Sequence, residues 1–85
     1  MPTIHHEGGF RCFFFSNERN EPPHIHVAQA ERYAEFWLEP LTLASQKGFR
    51  SGEVTRLHQI INERRLEFLS RWNEHFSRQI RTTGQ

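Results

Sequence analysis

From Glu53 to Arg78 the chain carries neither glycine nor proline, and its large apolar residues recur at helical spacing. At ~100° per residue, Val54, Leu57, Ile61, Phe68, Leu69, Trp72 and Phe76 gather on one side. Such a run is an amphipathic helix, or two in succession, and its apolar stripe requires a second layer to bury it. The stretch "NERR", Asn62 to Arg65, interrupts the stripe, because Arg65 stands where a core residue is expected. A bend is predicted there, or an arginine that snorkels to solvent. Ser51, two residues before Glu53, is in reach of an N-cap role.

The second layer has to come from the front of the chain. "FRCFFFS", Phe10 to Ser16, is aromatic and too short for an ordinary helix, so it reads as a strand with both faces at least partly covered. "NERNEPP" is a polar loop whose prolines fix φ, remove two backbone donors and hold Glu21 out of the helical region. "HIHV", His24 to Val27, alternates polar with apolar, and "RYAEFWL", Arg32 to Leu38, does the same. Only "AQAE" separates them, which predicts a β-hairpin. With an even turn centred between Ala30 and Glu31, Val27 faces Ala34 and Ile25 faces Phe36; on the other side His26 faces Glu35 and His24 faces Trp37. After Pro40, "LTLASQKGFRSGE" carries Gly48 and Gly52 and is expected to be irregular. The expected fold is α+β, one domain over residues 1–85: a three-stranded antiparallel β-meander covered on one face by a C-terminal helix or helix pair. The other face is then free and carries His24, His26, Tyr33, Glu35 and Trp37.

A chain of 85 residues buries only about 60–65% of its unfolded surface, so the core must be dense in large side chains. Eight Phe, two Trp and one Tyr supply them. The single Cys12 excludes an internal disulfide and suits a reducing cytoplasm; it reads as a buried small hydrophobe. No apolar run approaches the ~18–20 residues of a membrane span. Eleven Lys and Arg against ten Asp and Glu leave a charge of +1, far from the balance of a non-specific nucleic-acid binder. On the last helix Arg64, Arg71 and Arg78 recur every seven residues; because Glu67 precedes Arg71 by four and Glu74 precedes Arg78 by four, the stripe reads as a self-neutralised solvated face in preference to an RNA-binding ridge. His58 and His75 fall at the core margin.

The succession "PTI", "FFFSNERNEPPHIHV", "AEFWL", "LASQKGF" and "RWNEHF" resembles the small bacterial proteins grouped as domain of unknown function 4160, over nearly the whole chain. Ser16, Asn17, Glu21, Pro22, Pro23, His24, His26, Trp37, Gly48, Trp72 and Phe76 carry the resemblance, whereas the doublet His5-His6 falls outside it. The family has no established catalytic residues, so the resemblance implies none. Members are often encoded beside a second short protein, as in toxin–antitoxin pairs. The resemblance therefore implies a protein partner, the product of an adjacent gene.

His24 and His26 lie two apart on a strand, ~6–7 Å along the backbone, and project from one face. With Glu21 or Glu35 they make a two-His-one-carboxylate set suited to Fe(II), Mn(II) or Zn(II), although no Cys pair or helical H-E-x-x-H supports a metal. Without a metal, His24, His26 and Glu35 read as a general-base set, with Arg11, Arg19 or Arg32 to stabilise an anionic transition state, as in RNA cleavage by a 2′-hydroxyl. The third reading is architectural and carries more weight than either: rings packed on Trp37 and Tyr33 and hydrogen-bonded to backbone. Tyr33 and Trp37 are also the expected partner-binding residues, and an exposed sheet edge adds a route to strand pairing or homo-oligomers. The function expected is a small cytoplasmic protein-binding component of a two-gene module, with a His-based or metal-dependent ribonuclease or hydrolase as the alternative. On a free face, replacing both histidines by alanine changes stability by less than ~1 kcal/mol.

Overall fold

The computed structural model describes residues 3–14 and 21–84, with side chains through Phe76. Five antiparallel strands form one sheet in chain order: β1 (Thr3–Glu7), β2 (Phe10–Phe13), β3 (His24–Gln29), β4 (Arg32–Leu38) and β5 (Leu41–Lys47). Two helices follow, α1 (Ser51–Glu63) and α2 (Arg65–Gly84). The class is α+β, but the sheet has two more strands than expected, one added at each edge. The expected first strand corresponds to β2; its last residues, Phe15 and Ser16, lie outside the described residues, as do Asn17 and Arg19.

The central hairpin has the register read from the alternation. His24 lies opposite Trp37, Ile25 opposite Phe36, His26 opposite Glu35 and Val27 opposite Ala34. Its two-residue turn is Ala30-Glu31, with Ala30 at φ 54°. A tight turn that matches strand twist requires positive φ, and here a non-glycine residue supplies it. At the β1–β2 turn Gly8 and Gly9 provide the same backbone freely, at φ 57° and 84°. The β4–β5 turn contains a cis Glu39-Pro40 peptide.

The stretch expected to be irregular after Pro40 is strand β5 from Leu41 to Lys47, paired with β4 across a bulge between Glu35 and Phe36. Thr42 through Lys47 are all exposed. Backbone pairing holds this strand and burial does not, so no hydrophobic alternation announces it. β1 is similarly quiet, since Ile4 is its one aliphatic residue on the core.

Ile25, Val27, Ala34, Phe36 and Leu38 are completely buried on the helix-covered face. Leu57, Ile60 and Ile61 of α1 and Phe68, Trp72 and Phe76 of α2 complete the core, with Val54 and Leu69 at its margin. Each large side chain removed from water in this way stabilises by about 1.5–3 kcal/mol. The helix breaks at Arg64, whose φ of −115° and ψ of 15° leave the helical region. Arg64 there reaches Glu7 of β1 and Glu67 of α2, both at 3.3 Å, while the Arg65 guanidinium donates to the Leu38 carbonyl at 3.2 Å. Bend and snorkelling arginine thus occur together. The N-cap is Arg50 and not Ser51: the Glu53 carboxylate accepts the Arg50 backbone N–H at 2.9 Å. The side chain of Arg78, expected to pair with Glu74, lies outside the described residues.

The second sheet face is not free where the histidines stand. His24 is 0% and His26 3% exposed, and Phe13 beside them is buried too. Trp72 closes that end of the sheet: its ring lies 5.2 Å from Phe14, beyond β2, and 5.1 Å from His24, at the start of β3. Through Trp72, α2 thus reaches both the core residue Phe14 and His24 on the other face.

Candidate functional site

Strand alternation and hairpin register together place His24, His26 and Glu35 on one side of β3 and β4. Their side chains converge, so that a ring nitrogen of each histidine and a carboxylate oxygen of Glu35 lie within 4.8 Å of one another. His24 Nε2 is 3.5 Å from Glu35 Oε2 and 3.7 Å from Glu21 Oε1. Glu21 enters from the loop that Pro22 and Pro23 stiffen. All four residues named from the sequence, His24, His26, Glu21 and Glu35, thus meet.

Each imidazole is held through its other nitrogen. His24 Nδ1 lies 2.9 Å from the Pro22 carbonyl oxygen. A carbonyl can only accept, so Nδ1 carries the proton, and in the ring's neutral form Nε2 is the nitrogen with the lone pair. His26 Nδ1 lies 2.5 Å from the Tyr33 hydroxyl, and that hydroxyl is directed to Glu35 Oε1 at 3.5 Å. A Tyr33 proton turned to Glu35 leaves the phenolic oxygen to accept from His26 Nδ1, which again puts the lone pair at Nε2.

Aromatic residues wall the cluster. Phe13 stacks on His26 at 5.5 Å with planes 20° apart, the two imidazoles meet edge-on at 5.1 Å, and Trp37 and Trp72 approach His24 at 5.3 and 5.1 Å. Tyr33 also packs on His26, with ring centroids 5.8 Å apart. The ring packing of the architectural reading is therefore present, with a backbone bond at His24 and a phenol at His26, and the same contacts turn His24 Nε2 toward the carboxylates. The open side is the acidic one, since the side chain of Glu35 is 23% and that of Glu21 54% exposed.

The three arginines named for anion stabilisation fare differently. Arg32 pairs with Glu53 at the start of α1, away from the histidines. Arg11 lies over the Phe13 ring at 4.5 Å, one aromatic layer from His26. Arg19 is outside the described residues. Tyr33 and Trp37, named as a docking surface, are half-buried and serve the histidines. Sequence reasoning missed three contributors: Phe13, the Pro22 carbonyl and Trp72. Only Phe13 left a signal, since alternation along β2 puts it on the face opposite Cys12. The His5-His6 doublet is divided, with His5 bonded to Glu7 at 3.0 Å and tilted against Phe68.

A protein-family model described as domain of unknown function (DUF4160) matches residues 9–73. That span runs from the β1–β2 turn through Trp72 and contains every residue of the cluster. No curated protein and no solved structure matches the chain. Among the described residues no helix is long and apolar enough to cross a membrane.

Proposed function

We propose, for a chain that belongs to the DUF4160 family, that its function is hydrolytic and is centred on His24, His26, Glu35 and Glu21. The convergence of the two imidazoles and Glu35 within 4.8 Å is the observation that carries this reading. Imidazoles and carboxylates are the groups that move protons near neutral pH, and here they are oriented by a carbonyl and a phenol. The reacting molecule meets the cluster from its carboxylate side. An incoming water or hydroxyl gives up its proton to the cluster, and the aromatic walls exclude bulk water around the rings. Purified protein is to be assayed on model phosphodiesters, carboxylic esters and short RNA. Turnover that Glu35→Gln abolishes, with the far-UV spectrum unchanged, supports the reading; no turnover on any of the three ends it.

Strand β5 favours a second reading. It is one of the two sheet edges, exposed from Thr42 to Lys47, with Leu43 38% exposed, and a sheet edge accepts an added strand. A protein partner encoded in an adjacent gene, as in toxin–antitoxin pairs, would dock there and not on the histidines. Co-expression with that product tests it. Thr42→Pro and Leu43→Lys should abolish co-purification, and size-exclusion chromatography with light scattering separates this from strand pairing between two copies.

A further inference from the structure

We infer that His24, His26 and Glu35 form a binding site for one first-row divalent metal ion, with Glu21 as a further ligand at its mouth. The inference rests on the hydrolytic reading and deepens it by naming the cofactor.

The distances come first. At 3.5 and 3.7 Å, the approaches of His24 Nε2 to Glu35 and Glu21 lie at and just beyond the outer limit of a hydrogen bond. Two ligands on one tetrahedral ion with bonds of about 2.0–2.1 Å stand about 3.3 Å apart. These two pairs therefore come within a few tenths of an ångström of the spacing of ligands on one ion, and the set of His24, His26 and Glu35, whose ligand atoms lie within 4.8 Å of one another, would close further around it.

Tautomer is the second argument. A neutral histidine ligates through the nitrogen that lacks a proton, and metal-binding histidines characteristically donate the other N–H to a carbonyl or an oxygen acceptor. His24 does so to Pro22. His26 has the Tyr33 hydroxyl in the equivalent place, linked in turn to Glu35, so one phenol braces two ligands. Both imidazoles sit on paired strands with their rings packed against Phe13, Trp37 and Trp72, which fixes their rotamers before any ion arrives.

Donor type selects the ion. Two imidazoles with two carboxylates suit Zn(II), Mn(II) or Fe(II), whereas Ca(II) and Mg(II) prefer shells made wholly of oxygen. With His24, His26 and Glu35 on a tetrahedral ion, the fourth position takes either Glu21 or a water, and a water bound there would be acidified toward neutral pH, as hydrolysis needs.

Zinc chloride and cobalt chloride are the probes, titrated into the full chain after dialysis against EDTA. The expected result is one ion per chain by calorimetry, a raised Tm, and the visible absorption of tetrahedral Co(II). Glu35→Gln should weaken zinc binding by roughly 100-fold, and Tyr33→Phe by about 10–100-fold as a second-layer support, with both variants folded by circular dichroism. His6→Ala, an exposed histidine outside the cluster, should leave binding unchanged. No saturable binding at 100 µM zinc overturns the inference, and so does binding that Glu35→Gln does not weaken. Turnover that persists in EDTA overturns the metal while keeping the hydrolytic reading; one tightly bound zinc with no turnover on any substrate does the reverse.

Discussion

Trp72 of α2 and His24 of β3 stand ring to ring at 5.1 Å, although 48 positions separate them in the chain. The contact ties the last helix to the cluster directly, and Trp72 also holds Phe14 at 5.2 Å and Phe76 at 4.3 Å. Core integrity and histidine orientation are thus one problem.

Trp72→Ala should therefore destabilise the fold by about 3–5 kcal/mol, the range for a large buried aromatic. Urea unfolding followed by tryptophan fluorescence from Trp37 measures it. A loss below ~1 kcal/mol would show that α2 does not close this end of the sheet.

The two histidines are expected to behave as core residues. Replacing both by alanine should cost about 2–5 kcal/mol, because buried rings are removed and the Pro22 carbonyl and the Tyr33 hydroxyl lose partners. This reverses the expectation drawn from a free face, under which the change is nearly neutral. Thermal melts of each single variant and of the double variant decide between them.

Acid should unfold the protein partly through Glu7 and Glu53. The hydrogen bond from His5, with help from Arg64, holds the Glu7 carboxyl below the ordinary range; the Arg50 backbone N–H, with help from Arg32, does this for Glu53. A carboxyl whose pKa is lower in the folded state stabilises above its unfolded pKa of about 4.3 and loses that contribution as pH falls through the folded value. Stability should accordingly be flat near neutrality in these groups and decline below about pH 4.5. Glu53→Gln should flatten the acid limb in denaturant titrations at stepped pH; an unchanged limb would remove Glu53 from the account.

Cys12 should be inert. Burial, with the Glu7 carboxylate adding, pushes its thiol up to about 12. Labelling by a thiol-specific disulfide reagent at pH 8 should be about 100-fold slower in the native chain than in urea. Equal rates would mean that β2 opens readily.

What the sequence disclosed was whatever periodicity encodes. The register that sets His26 opposite Glu35 followed from alternation and an even turn, and the stripe from Val54 to Phe76 followed from helical spacing. β5 escaped because exposed strands have no apolar pattern. The burial of His24 was foreseen in the architectural reading alone, because the Trp72 ring that reaches it comes from 48 positions away, which no local pattern specifies. The tautomer lock at Pro22 escaped for another reason: its acceptor is a backbone carbonyl, which every residue possesses.

Since each strand pairs only with its neighbour in chain order, the sheet can assemble by successive short closures. Arg64 meeting Glu7 across 57 positions belongs to a different stage, because it requires the helices to be already in place. The folding barrier should then divide along the same line, with hairpin residues setting the rate of folding and helix-docking residues the rate of unfolding. Paired measurements on Val27→Ala and Phe68→Leu should place the first change in the folding arm of the chevron and the second in the unfolding arm.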